Sequence, residues 1–342
     1  MSRINVLSID GGGIRGIIPA FILAAIEDRV GLELHQTFDL IAGTSTGGII
    51  ALGIGTRAKN GKPYRPADLV ELYIANGPQI FKKGLLTPIK SLLGPKYAPD
   101  ALESVLLSYF GDTELDSALT PLLISSYDLQ GEVPFFFKSH RIAADPTYNW
   151  KARAIARATS AAPTFFPPLH LHRDGEDRGL VDGGVFVNNP AIAAYAEARN
   201  LYPDATDFLI VSVGTGDRDD KITYRKAKGW GLLGWARQIV PVMMDSVSEA
   251  VDYELDGVFG VAAAGRHFRL QSRLTIASNE MDDTSLENLQ NLKAEAAKVL
   301  QDEAGRIKVL CELLQSGRGS NLPGIGLPMT TKPSAKSARE GC

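Results

Sequence analysis

Gly43-Thr44-Ser45-Thr46-Gly47 lies between two apolar runs, residues 38–42 and 49–54. The first reads as a buried strand and the second as the start of a helix. Gly-x-Ser-x-Gly at a strand-to-helix turn is a nucleophile elbow. The turn is so sharp that neighbouring side chains would clash, which accounts for the flanking glycines. The serine hydroxyl then projects above the sheet at the N-terminus of the next helix. That helix end carries about half a unit of positive charge, which favours negative charge developing beside the serine. The same five residues also suit a tight Gly/Ser turn without chemistry, and the pattern alone leaves both readings open.

Upstream, residues 4–9 read as a strand, Asp10-Gly11-Gly12-Gly13-Ile14-Arg15-Gly16 as a loop and residues 17–30 as a helix. The first 58 residues thus form a βαβα unit, which implies a parallel sheet. Gly11, Gly13 and Gly16 fit Gly-x-Gly-x-x-Gly between a strand and a helix. Such a loop binds a dinucleotide, with Glu33 or Asp39 available for a ribose. Equally, consecutive glycine N–H groups at a helix N-terminus form a nest for the oxyanion of an acyl intermediate, beside the fixed charge of Arg15.

Downstream, helices are expected over 66–76, 99–110, 150–161, 190–200 and 232–251, and one or two over 285–314. Strands are expected over 121–127 and 133–138, joined at Gln130-Gly131, and over 169–172, 180–181 and 207–213. Residues 77–99, with Lys82, Lys83, Lys90 and Lys96, read as a surface excursion. Residues 162–168 read as an extended loop because proline restricts its predecessor. We expect one domain over 1–315 and a disordered tail over 316–342, where Gly, Ser, Pro, Thr and Lys dominate.

At 44% hydrophobic and 22% charged residues, the chain has the composition of a globular protein. A net charge of -3 argues against binding a nucleic acid polymer. The cysteines, Cys311 and Cys342, show no metal-type spacing and suit a reducing compartment, so a cytoplasmic location is expected. The longest uncharged run, residues 40–56, is too short for a membrane span, so any membrane contact should be peripheral.

A serine nucleophile needs a base. Of the five histidines, only His267 lies where an α/β-hydrolase would place one, and a solvated strand residue is the simpler reading of it. Only one strand precedes the elbow's own, too few for that fold. The alternative base is Asp182, at a strand end before Gly183-Gly184, where glycines permit close approach. Burial would raise its weakly basic pKa toward a useful value. A simple cap on the helix start at Asn188-Asn189-Pro190 explains the same aspartate.

Asp10-Gly-Gly-Gly-Ile-Arg-Gly16, Gly43-Thr-Ser-Thr-Gly47, Ser160-Ala-Ala-Pro-Thr-Phe-Phe-Pro-Pro168 and Asp182-Gly-Gly184 together resemble the patatin-like phospholipases in order and spacing. Met281-Asp282-Asp283 before a leucine-rich helix is similar to the C-terminal part of prokaryotic members. The resemblance implies a three-layer α/β/α sandwich related to the catalytic domain of cytosolic phospholipase A2. It implies a Ser45–Asp182 dyad, an oxyanion hole from Gly11, Gly12 and Gly13 supported by Arg15, and no metal or cofactor. The implied reaction is hydrolysis of an acyl ester in a phospholipid or other lipid through an acyl-serine. Some bacterial members are defence effectors switched on by a cyclic nucleotide, so a nucleotide activator is a second expectation. A nicotinamide oxidoreductase ranks last, because it leaves the elbow and Asp182 unexplained. Residues 226–251, with Trp230 and Trp235, read first as a core-facing helix and second as a bilayer-facing one.

Overall fold

The computed structural model describes residues 3–59, 61–82, 94–173, 175–219, 222–260 and 266–316. Strands β1 (Ile4–Ile9), β2 (Leu40–Gly43), β3 (Leu122–Asp128), β4 (Val133–Lys138), β5 (Leu169–Arg173), β6 (Glu176–Asp182), β7 (Phe208–Val213) and β9 (His267–Leu270) form one sheet. Its order is β5-β6-β3-β2-β1-β7-β9, with β4 paired to β3. The β3-β2-β1-β7-β9 run is parallel, and β4, β5 and β6 enter through antiparallel pairs. A separate short pair joins β8 (Asp217–Arg218) and β10 (Arg273–Leu274).

Period-two alternation sends successive side chains to opposite faces of the sheet. Leu7, Ile9, Ile41, Leu209 and Val211 share one cluster, and Ile4, Val6, Leu40, Ala42, Phe208 and Ile210 another. The first cluster is covered by α1 (Ile17–Val30), α3 (Thr46–Gly55), α4 (Pro66–Ile80), α5 (Asp100–Phe110), α6 (Ala152–Thr159), α10 (Leu286–Asp302) and α11 (Ala304–Ser316). The second is covered by α7 (Ala191–Leu201) and the C-terminal half of α9 (Leu232–Phe259). Short helices α2 (Leu34–Thr37) and α8 (Tyr224–Ala227) complete the set. The result is the expected three-layer α/β/α sandwich, with one thick helical layer and one thin.

Several boundaries differ from the sequence reading. Strand β6 begins at Glu176, because a hairpin with β5 gives its polar first half backbone partners. Helix α4 runs through Pro78, and α9 extends to Phe259 because Leu255 still reaches the second cluster. Residues 162–168 are turned rather than extended: the amides of Phe165 and Phe166 both donate to Ala162 O. The last helical region is two helices, broken at Glu303. The expected tail beyond Ser316, with Cys342, and most of the lysine-rich excursion (residues 83–93) lie outside the described residues.

The elbow glycines are dictated by contact. A Cβ on Gly43 would stand 2.2 Å from Gly47 O, and one on Gly47 would stand 2.1 Å from Ile9 O. Both obstacles are backbone, so relief requires moving α3 off β1. We expect Gly47→Ala to lower stability by about 3 kcal/mol, the upper end for overpacking. Gly305→Ala, whose Cβ meets nothing on a helix, is the comparison expected to lose no stability in urea unfolding.

Candidate active site

Strand β3 brings the two ends of the site together. Its one edge is taken along most of its length by β4. On the other, β2 pairs with residues 122–124 and ends at Gly43 opposite Ile124. Strand β6 arrives from the opposite direction and ends at Asp182 opposite Ser126. The two strands therefore meet end to end across Ser125. That meeting explains why residues 137 positions apart share a site. Ser125 Oγ bonds Thr44 Oγ1 at 2.7 Å, and a Cβ on Gly183 would strike Ser125 Oγ at 2.2 Å.

Ser45 follows β2 and stands at the N-terminus of α3 with φ 54° and ψ −123°. Left-handed φ is strained for any residue but glycine and is held here by its surroundings. Its amide donates to Thr159 Oγ1 at 2.8 Å, and Thr44 Oγ1 donates to Val187 O at 2.7 Å. Asp182 is buried and accepts the Gly184 amide at 2.8 Å. It thus caps the short turn Gly183–Val185, while the start of α7 is capped by Asn189. Burial pushes the Asp182 carboxyl up to about 7, against the opposing effects of the Ser45 hydroxyl and the Gly184 amide. Ser45 is near enough to act on this carboxyl, yet Asp182 Oδ2 completes no hydrogen bond of ordinary geometry. Such contacts tighten commonly only when substrate is bound.

The glycine loop packs against Ser45: a Cβ on Gly11 would lie 3.1 Å from Ser45 Cβ and 2.5 Å from Asn188 Oδ1. The Gly11 amide is already bonded to Asn188 O at 3.1 Å, so it is not free to bind an oxyanion. The N–H groups of Gly12, Gly13 and Thr46 have no acceptor among the described residues. Gly13 has φ 60°, and a Cβ there would meet Met281 O at 2.3 Å. Arg15 is buried and donates to Gly12 O and Gly216 O at 3.4 and 3.3 Å. It braces the loop from behind. Asp10, at the loop's start, is held by Arg269 at 2.6 Å. Thr215 packs against Gly12 and Met281 against Gly13, so neither glycine has open space beside its Cα.

His267 takes no part. It opens β9 level with Ile210, three residues short of the level of Gly43 and three strands away. That is about 10 Å along the strands and roughly 14 Å across them. Its side chain is largely buried against Asp256 rather than solvated as expected, and burial lowers its pKa.

Ser45, Asp182 and Gly13 line one cleft of about 610 Å³, counted to its open mouth. The rest of the wall is mostly apolar: Ile49, Tyr73, Ile80, Phe81, Leu102, Phe165, Phe166, Met244 and Met281. Phe81, Tyr97, Phe165 and Phe166 stack on one side, and Asp282 holds Lys96 and Tyr97 there.

Residues 7–195 match the family model described as patatin-like phospholipase. The chain belongs to the patatin-like phospholipase family. Patatin-like protein 2 of Oryza sativa subsp. indica is 33% identical over 368 aligned positions, covering 95% of this chain and 89% of that protein. Patatin-2-Kuras 4 of Solanum tuberosum is 35% identical, covering 84% of each. Among solved structures, VipD from Legionella pneumophila gives a TM-score of 0.39 at 12% identity, covering 88% of this chain and 67% of that one, too distant to add to the fold. Within this patatin-like chain the elbow, the glycine loop and the Asp182 turn were legible as motifs. Thr159, Ser125, Asn188 and Arg269, which hold those motifs in place, were not. Each is a common polar residue in a helix, strand or loop, and its role exists only through a distant partner.

Proposed function

We propose that the protein is a lipid acyl hydrolase of phospholipase A type that works through a Ser45–Asp182 dyad. The observation that supports this most is the pairing of a strained, elbow-mounted Ser45 with a buried Asp182 on the floor of an apolar cleft. Asp182 accepts the Ser45 proton as Oγ attacks the ester carbonyl. The oxyanion is received by the free amides of Gly12 and Gly13, with Thr46 at the head of α3 adding the helix-end field. Gly11 is left out because its amide is occupied, and Arg15 acts by fixing Gly12. The leaving alcohol takes the proton from Asp182. Water then opens the acyl-serine with Asp182 again as base. The acyl chain occupies the apolar wall. No step requires a cofactor.

The direct test is hydrolysis of a panel of phospholipids and mono-acyl lipids, with release of fatty acid as the readout. A fluorophosphonate should label the parent protein at Ser45. A protein that releases no fatty acid from any member and resists the label would overturn the proposal.

The pH dependence follows from Asp182. A base must be unprotonated, so kcat/KM should rise with pH and reach half its plateau near pH 7, where the buried carboxyl ionises. A profile flat from pH 5 to 9 would exclude Asp182 as the base. Among the described residues nothing favours a cyclic-nucleotide trigger, and parent activity measured without nucleotide decides that question.

A further inference from the structure

Helix α9 is built in two unlike halves. From Met244 onward it carries a buried stripe, Met244, Ser248, Val251 and Leu255, at helical spacing against the body. Over residues 232–243 no described side chain is buried. That half nevertheless carries Leu232, Trp235, Ile239 and Met243, which are 87%, 43%, 39% and 43% exposed. At 100° per residue these four fall within about 80° of arc, a single apolar stripe facing solvent. Pro241 marks the junction, where the helix gives up one backbone bond. The core-facing reading of this helix holds for its second half, and the first half carries an exposed apolar stripe as well.

The surroundings of the stripe indicate what covers it. Arg225, Lys226 and Lys228 are exposed just before it, and residues 222–244 contain no acid although the whole chain is at -3. None of the three forms an ion pair among the described residues. Exposed Tyr224 lies among them, and Trp230 packs edge-on against Trp235 with ring centroids 5.2 Å apart. Indole rings beside cations and an aliphatic stripe suit the headgroup boundary of an anionic bilayer. A second protein copy would bring the same basic cluster and meet repulsion. The stripe ends at Met243, and Met244, the next residue, lines the cleft beside Ser45 and Asp182.

We propose that the N-terminal half of α9 with α8 is a docking surface for a membrane containing anionic lipid, leading directly to the cleft. It rests on the acyl-lipid reading of that cleft for its purpose, and its test does not require catalysis. In the Ser45→Ala background, the chain is mixed with vesicles of phosphatidylcholine alone or with added phosphatidylglycerol and sedimented. We expect binding to the mixed vesicles, and a loss of about two orders of magnitude in Trp235→Ala/Ile239→Ser. Arg225→Gln/Lys226→Gln/Lys228→Gln should bind mixed vesicles no better than neutral ones. With Ser45 restored, both variants should keep parent turnover of a soluble short-chain ester and lose it on vesicles. Vesicle binding unchanged in the Trp235/Ile239 variant overturns the proposal. So does a parent dimer that the same variant dissociates, which would make a second copy the occupant. Absence of ester hydrolysis in the parent, with vesicle binding intact, would instead overturn the catalytic reading.

Discussion

Ser45→Ala is expected to lose ester hydrolysis by on the order of 10⁵–10⁶, because it removes the proposed nucleophile. The fold should survive. Ser45 Oγ makes no hydrogen bond that holds an element in place, and the backbone is fixed by the Thr159 contact to the Ser45 amide. The companion variant is Ser45→Gly. At φ 54° a side chain is strained, so glycine should raise stability by about 1 kcal/mol while abolishing activity. Alanine keeps the Cβ and gains nothing. A more stable yet inactive Ser45→Gly in melting and hydrolysis assays would mark strain held for function. Substantial turnover in either variant would remove Ser45 from the mechanism.

Asp182→Asn should lower turnover by about 10²–10⁴, since amide nitrogen cannot accept the proton. Its effect on stability runs the other way and depends on pH. The unfolded carboxyl ionises near 3.8 and the folded one near 7. Below 3.8 both states hold the proton and the carboxyl's contribution is fully present. Between those values the unfolded chain has released a proton that the folded chain keeps, so stability falls as pH rises. Above about 7 the folded protein carries a buried charge. Asparagine avoids that charge and can still accept the Gly184 amide. Asp182→Asn should therefore exceed the parent in stability by a few kcal/mol at pH 8, with the gap closing toward pH 4. Equal pH dependence in the two proteins would show that Asp182 is not desolvated, and would weaken its part as base.

The two residues are specified by contacts of different range. The elbow announced itself because its glycines are forced by contacts within a few residues: Gly43 against Gly47, and Gly47 against the neighbouring strand at Ile9. Continuous apolar runs likewise placed β1, β2 and β7, and helical spacing placed α1. Boundaries failed where long-range pairing overrode local composition. Polar Glu176-Asp177-Arg178 became strand because β5 offers a ladder, and the 162–168 loop closed on itself despite its prolines.

What the sequence determined by itself was a βαβα start, a Gly-x-Ser-x-Gly turn from strand to helix, a glycine loop and an aspartate before two glycines. Local rules alone could not join Ser45 to Asp182, which only the family resemblance paired, because none makes β2 and β6 end head to head on the same edge of β3. Nor could they tell which glycine amides stay free, or that the first half of α9 turns an apolar stripe to solvent. Those outcomes depend on which backbone groups and apolar faces find partners far along the chain. Only packing the whole sheet between its layers decided them.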